Sequence, residues 1–250
     1  MRELDVYITV HDQERLLDFE NSKSVKHLSS YKYVFVGNGD ISKVCHMDNI
    51  IVARQLPFNI EDEEYKLLVS FTAWYALIMN NLINSKYVAL IHYDVKLKED
   101  FESSTIKYLE TNENQLLGYV PFSMHSQLFL KTTALSHPLF IAMQKNYNVD
   151  IHSLLEEYIE KTRDITWPSA DQIAISTPIL CKFVSWFTPL IDELKIFREC
   201  GHSFERSIKI FCILNNIPNI YLPNVLKHYQ LDSHNTQYIK KRYISLRNIQ

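Results

Sequence analysis

Residues 4–10 (LDVYITV) are dominated by apolar and β-branched side chains, which predicts a buried strand. It closes on Thr9-Val10-His11-Asp12, with polar groups gathering at its carboxyl end. The polar stretch 13–30 reads as a helix followed by a loop. Residues 31–36 (YKYVFV) predict a second strand, ended by Gly37-Asn38-Gly39-Asp40, a turn signal. A short third strand follows at 50–53. Four acids at 61–64 open a long helix, where negative charge complements the helix dipole. Leu67, Leu68, Phe71, Tyr75, Ile78 and Leu82 then recur at helical spacing and give it one apolar face. Residues 87–91 (YVALI) are continuously apolar, as expected of a central strand buried on both faces, and run directly into His92-Tyr93-Asp94.

Further along, the pattern predicts a helix near 100–110 and strands at 115–120 and near 127–131. Asp150 begins a helix with Ile151, Leu154, Leu155, Tyr158 and Ile159 inward. Ser169-Ala170-Asp171-Gln172 fits a capping box and predicts a helix start, with Ser169 as N-cap and Gln172 reaching back. Thr177-Pro178 predicts another, with proline in the first turn. A helix over 203–215 and a late strand at 220–222 complete the chain. Strands alternating with helices imply an α/β fold, a mostly parallel central sheet with helices on both faces. No internal repeat or linker divides residues 1–250, so a single domain is expected. In such sheets ligands bind beyond the carboxyl ends of strands, which selects Thr9–Asp12, Gly37–Asp40 and His92–Asp94.

Composition narrows the function. The chain is 46% hydrophobic and long enough to bury roughly 70–75% of its unfolded surface without disulfides or metals. A net charge of -3 is not that of a general nucleic-acid binder. Only four glycines are present, and they form no dinucleotide-binding, phosphate-loop or nucleophile-elbow motif. Cys45, Cys181, Cys200 and Cys212 form no CxxC pair and read as free, buried thiols of a reducing compartment. The N-terminus lacks a secretion signal, and the longest apolar stretch, 74–79, is too short to span a bilayer, so a cytoplasmic location is expected. Residues 240–250 carry Lys240, Lys241, Arg242 and Arg247 with no acid. They read as a flexible end or as a weak contact to the inner face of an anionic membrane.

Asp94 is the first candidate for chemistry. It follows an apolar strand at the ligand edge, where its carboxylate suits a hard divalent cation, Mn²⁺ or Mg²⁺, bridging two phosphates. The alternative is an ordinary strand-end turn aspartate. The YVALI strand, the two residues before Asp94, then Val95-x-Leu97 resemble the central segment of GT-A-type glycosyltransferases. The similarity is closest to enzymes that build bacterial surface polysaccharides. Its diagnostic residues span about Ala89 to Asp100, although the element order matches over 4–230.

The resemblance implies a nucleotide-sugar donor and a glycan or glycolipid acceptor. His92 stands where the family's Asp-x-Asp has its first acid, while Asp94 keeps the position tied to the metal. Tyr93 lies between them. Thr9, His11 and Asp12 occupy the place where base and ribose are held, although Asp12 is equally suited to capping the following helix. Asp171 matches the late carboxylate that serves inverting enzymes as general base, and it also fits the first turn of a helix. Trp167 suits either an acceptor sugar or the core. His228 and His234 are candidates for a late histidine on the metal. His202, Glu205 and Arg206 are further residues that would lie near a pocket, Arg206 suiting either a diphosphate or an intrahelical pair. Two other readings stay open: a non-catalytic interaction domain in which His92 has broken the site, and a nucleotidyltransferase. The second normally brings a glycine- and lysine-rich phosphate loop that this chain lacks.

Overall fold

In a computed structural model the chain is described over residues 2–22, 25–60, 68, 70–93, 95–125, 137–150, 153, 156, 164–168, 172–195, 200–222 and 225–228. Strands β1 (Arg2–Val10), β2 (Tyr31–Phe35), β3 (Ile50–Val52) and β4 (Ser85–His92) form where apolar and β-branched residues dominate. They join β6 (Leu116–Gly118), β9 (Ile173–Ser176) and β10 (Asn219–Tyr221) in a seven-stranded sheet of order β10-β6-β9-β4-β1-β2-β3. Neighbours are parallel except at β9, which runs antiparallel to both β4 and β6. Two ribbons sit outside this sheet: β5 (Val95–Leu97) with β11 (Leu226–His228), and β7 (Pro121–His125) with β8 (Asp164–Pro168).

Helices cover both faces, as burial of an all-apolar central strand requires. Leu4, Val6, Ile8 and Val10 of β1 point to one core. There they meet Leu16 and Phe19 of α1 (Gln13–Asn21) and Phe101 and Leu109 of α3 (Phe101–Thr111). Tyr7, Val88 and Leu90 point to the other, larger core. It is filled by α2 (Ser70–Met79), α4 (His137–Tyr147), α5 (Thr177–Phe187), α6 (Ile191–Lys195) and α7 (Cys200–Leu214). Its centre is aromatic: Phe71 lies 4.7 Å from Phe187 and Trp74 lies 5.0 Å from Phe204, edge to face.

Several expectations change. The helix predicted from Ser169 is not formed: Ile173–Ser176 is the antiparallel strand β9, and Gln172 is buried at its start. Every side chain of this four-residue strand is buried, so the pattern shows no alternation by which to read it as β. The helix start at Thr177-Pro178 is present as α5. The strand predicted over 115–120 is present as β6 over Leu116–Gly118, and β7, which begins at Pro121 after Tyr119 and Val120, is a further strand that the pattern did not predict. Asp150 does cap, its carboxylate accepting from the Ser153 amide and hydroxyl, and Ser153 and Glu156 are helical and exposed. The inward residues of that helix, the acid run at 61–64 and the strand near 127–131 lie outside the described residues. Of the thiols, Cys212 is buried and Cys181 half-buried, while Cys45 is exposed, contrary to expectation. Among the described residues, no helix is long and apolar enough to cross a membrane.

Candidate functional site

The sheet reverses its order of growth beside β1. From β1 the chain steps outward to β2 and β3, then returns through α2 and lays β4 on the other side of β1. Such a switch point opens a crevice beyond the carboxyl ends of the two strands. The β1–β4 register puts Thr9 opposite His92 at this edge, with Thr9 buried. Just past the end of β1, the His11 ring lies 6.1 Å from His92 and 5.5 Å from Tyr93, and His92 lies 4.3 Å from Tyr93. Three half-buried aromatic rings thus converge from two strand ends. Imidazole and phenol rings are of the chemical kinds that stack on planar bases and hydrogen-bond to hydroxyl or phosphate oxygens.

Asp12 belongs to this edge, but its carboxylate is engaged: Oδ1 accepts from the Arg15 amide at 2.9 Å and caps α1. The Gly37–Gly39 segment is a turn, as read. Gly37 has φ of 80°, a backbone that favours glycine, and a Cβ on Gly39 would come within 2.9 Å of the His11 carbonyl oxygen. Asp40 is tied into the loop. It accepts from the Ser42 amide and hydroxyl and from Gln13 Nε2, and these bonds, the Ser42 amide first, hold its carboxyl below the usual range.

Two further segments reach the same edge. Because β9 is antiparallel, its first residue, Ile173, pairs with Leu90 and with Gly118 near the carboxyl ends of β4 and β6. Gln172 accepts there from the Tyr119 amide at 2.9 Å. Asp171 lies outside the described residues, but Gln172, the next residue, is on the His92 edge. Strand β11 pairs with β5 so that His228 stands opposite Val95, the residue that follows Asp94. Asp94, His234 and the side chains of His202 and His228 also lie outside what is described. Among the described residues no group of three His, Cys, Asp or Glu could hold a metal ion.

Trp167 is resolved in favour of the core: it is 6% exposed and packs 5.8 Å from Phe122. Glu205 and Arg206 are half-buried on α7, which packs against β8, α4, α5 and α6. The motif reading passed over Arg54, in the 3₁₀ turn after β3. Its Nη1 donates to the carbonyls of Gly37 at 3.0 Å and Gly39 at 2.9 Å. The available signal was a lone basic residue just beyond a strand's carboxyl end.

No protein-family model matches the chain, and neither does any curated protein sequence. Solved structures do. The apo structure of the bifunctional glycosyltransferase WbbM superposes with a TM-score of 0.60 at 14% identity, over 91% of this chain and 45% of WbbM. The chain therefore spans under half of WbbM's length. Glucosyl-3-phosphoglycerate synthase from Mycobacterium tuberculosis, solved with Mn²⁺ and UDP-glucose, gives 0.44 at 16% identity, over 95% of this chain and 77% of its own. The galactosyltransferase LgtC, with donor and acceptor sugar analogs, gives 0.44 at 11% identity, over 97% and 94%. With a seven-stranded, mostly parallel sheet and the WbbM superposition together, the chain has the GT-A-like glycosyltransferase fold.

Proposed function

We propose that this chain is an enzyme that transfers a sugar from a nucleotide-sugar donor to a hydroxyl of a glycan or glycolipid acceptor. The observation that carries this reading is the meeting of His11, His92 and Tyr93 at the switch point of a GT-A-like sheet. On this reading Thr9, His11 and Asp12 border the base and ribose, and His92 and Tyr93 border the diphosphate. Asp171 accepts the acceptor's hydroxyl proton as that oxygen bonds to the anomeric carbon and the sugar–phosphate bond breaks. Asp94 and His228 would hold a Mn²⁺ or Mg²⁺, which when bound neutralises charge on the departing nucleoside diphosphate.

A thermal-shift panel tests this. UDP, GDP, CDP, CMP and ADP are each added with and without Mn²⁺ to the wild type and to Asp94→Ala. A ligand at about 100 times its Kd adds roughly 2.7 kcal/mol of stability. A shift with one nucleotide that needs Mn²⁺ and is lost in the variant supports the metal-assisted transferase and names the donor class. A shift independent of Mn²⁺ keeps the transferase and removes the metal. No shift with any nucleotide favours a second reading, which the histidine at the first acid position itself suggests: an interaction domain with a GT-A-like fold and no donor site.

A further inference from the structure

We infer that Arg54 is a positioning residue for His11, acting through the Gly37–Gly39 turn. The inference rests on reading the His11–His92–Tyr93 edge as the donor site. The links are consecutive. The Arg54 main chain is itself held, its carbonyl accepting from Asn59 Nδ2 at 3.3 Å. One guanidinium nitrogen then donates to two carbonyls of the turn, at Gly37 and Gly39, and so fixes both ends of a backbone that a positive φ would otherwise leave free to flip. Gly39 in turn lies against His11: the space a Cβ would fill is bounded by the His11 carbonyl oxygen at 2.9 Å and the Phe35 ring at 3.3 Å. On the other side the Val36 amide donates to the Val10 carbonyl at 2.8 Å, pinning the residue before His11 to the same turn.

Both bonds come from the one nitrogen Nη1, so a lysine ammonium, with three donors on one nitrogen, can bridge the same two carbonyls, whereas an apolar side chain cannot. The turn is thus a backstop that keeps the His11 ring within reach of His92 and Tyr93. Shifting it by the few tenths of an ångström that a Gly39 side chain demands moves His11 first.

The test uses the full-length chain labelled at histidine. Imidazole resonances are recorded for the wild type, Arg54→Met, Arg54→Lys and Gly39→Ala, with His11 assigned from His11→Gln. Binding of UDP, GDP, CDP and ADP is measured by calorimetry on the same samples. The expected result is that His11 resonances move in Arg54→Met and Gly39→Ala and stay near the wild-type position in Arg54→Lys. The affinity for the nucleotide that the wild type binds should weaken roughly tenfold in Arg54→Met and Gly39→Ala, as expected of one displaced contact at the site, and little in Arg54→Lys. Arg54→Gln, which removes the charge and keeps a polar stem, keeps the test decisive if Arg54→Met does not fold. Unmoved His11 resonances in a folded Arg54→Met or Gly39→Ala overturn the inference. A wild type that binds none of the four nucleotides overturns the donor-site reading instead, and the resonance arm still decides the role of Arg54.

Discussion

Asp12 has two roles open to it in the sequence, and in the folded chain its carboxylate takes one, receiving the Arg15 amide at the start of α1. Asp12→Ala is expected to lose about 1 kcal/mol in a denaturant titration, and Asp12→Ser to recover most of it. If nucleotide affinity follows stability across the pair, capping is the residue's whole contribution. If Asp12→Ser is stable and binds poorly, the ribose contact is real. The tyrosines give a second expectation. Burial raises the phenol pKa of Tyr7, Tyr33 and Tyr119 above the ordinary 10.0. At Tyr33 the hydrogen bond to the Glu20 carboxylate raises it further, and at Tyr7 the charge of Asp5 does so. The unfolded chain gives up these protons near 10.0 while the folded chain keeps them. Stability is therefore intact below that pH and falls above it, by about 1.4 kcal/mol per pH unit for each withheld proton. Denaturant midpoints should drop steeply between about pH 9 and pH 11, with part of the phenolate absorbance, that of the buried tyrosines, appearing only as the chain unfolds. Burial likewise pushes the Cys212 thiol up to about 12 while Cys45 is exposed, so of these two a thiol reagent at neutral pH should label Cys45 first.

At the scale of elements, what was legible locally was what the sequence repeats locally. β1, β2 and β4 were readable because each holds a run of mostly apolar and β-branched residues, and α5 because Pro178 stands in its first turn. Their carboxyl ends carry His11, His92 and Tyr93, which lie together in the fold. What was not legible depends on distant pairing. β9 is four residues long, and the Ser-x-x-Gln before it imitates a helix cap; it is a strand because β4 and β6 flank it. β11 is three residues long and exists by pairing with β5, so the position of His228 opposite Val95 had no local signal. Arg54 belongs to the same class, since its partners lie 15 and 17 residues away on the other side of a strand. The pairing of β6 with β10 carries its own prediction. A Cβ on Gly118 would stand 2.8 Å and 2.9 Å from the Tyr221 ring and 3.0 Å from Pro168. Gly118→Ala should therefore cost about 1–3 kcal/mol in chemical denaturation, the usual penalty for overpacking.

For the whole molecule, the proposed donor edge is assembled from both halves of the sequence. The first half supplies β1 to β4 and the His11–His92–Tyr93 cluster, and the second supplies β9 with Gln172 and β11 with His228. The basic run at 240–250 adds a separate expectation. If it contacts anionic lipid, the full chain should co-sediment with phosphatidylserine vesicles at low salt and release as salt rises, and a chain ending at residue 239 should stay in the supernatant.

The position of β9 also sets an order of assembly. β1 to β4 can zip together as the chain emerges, because each joins a strand already made. β6 cannot join them: its place is one strand away, and the gap is filled by residues some fifty positions later. Until then β4 is a raw margin, with the Tyr87–Leu90 ladder open and apolar surface on both sides. Open ladders of that kind recruit any strand that comes near, including one from another copy. A ribosome pausing between β4 and β9, or a protease cutting in that interval, would leave a sticky half-sheet whose natural outcome is aggregation rather than a smaller working fold.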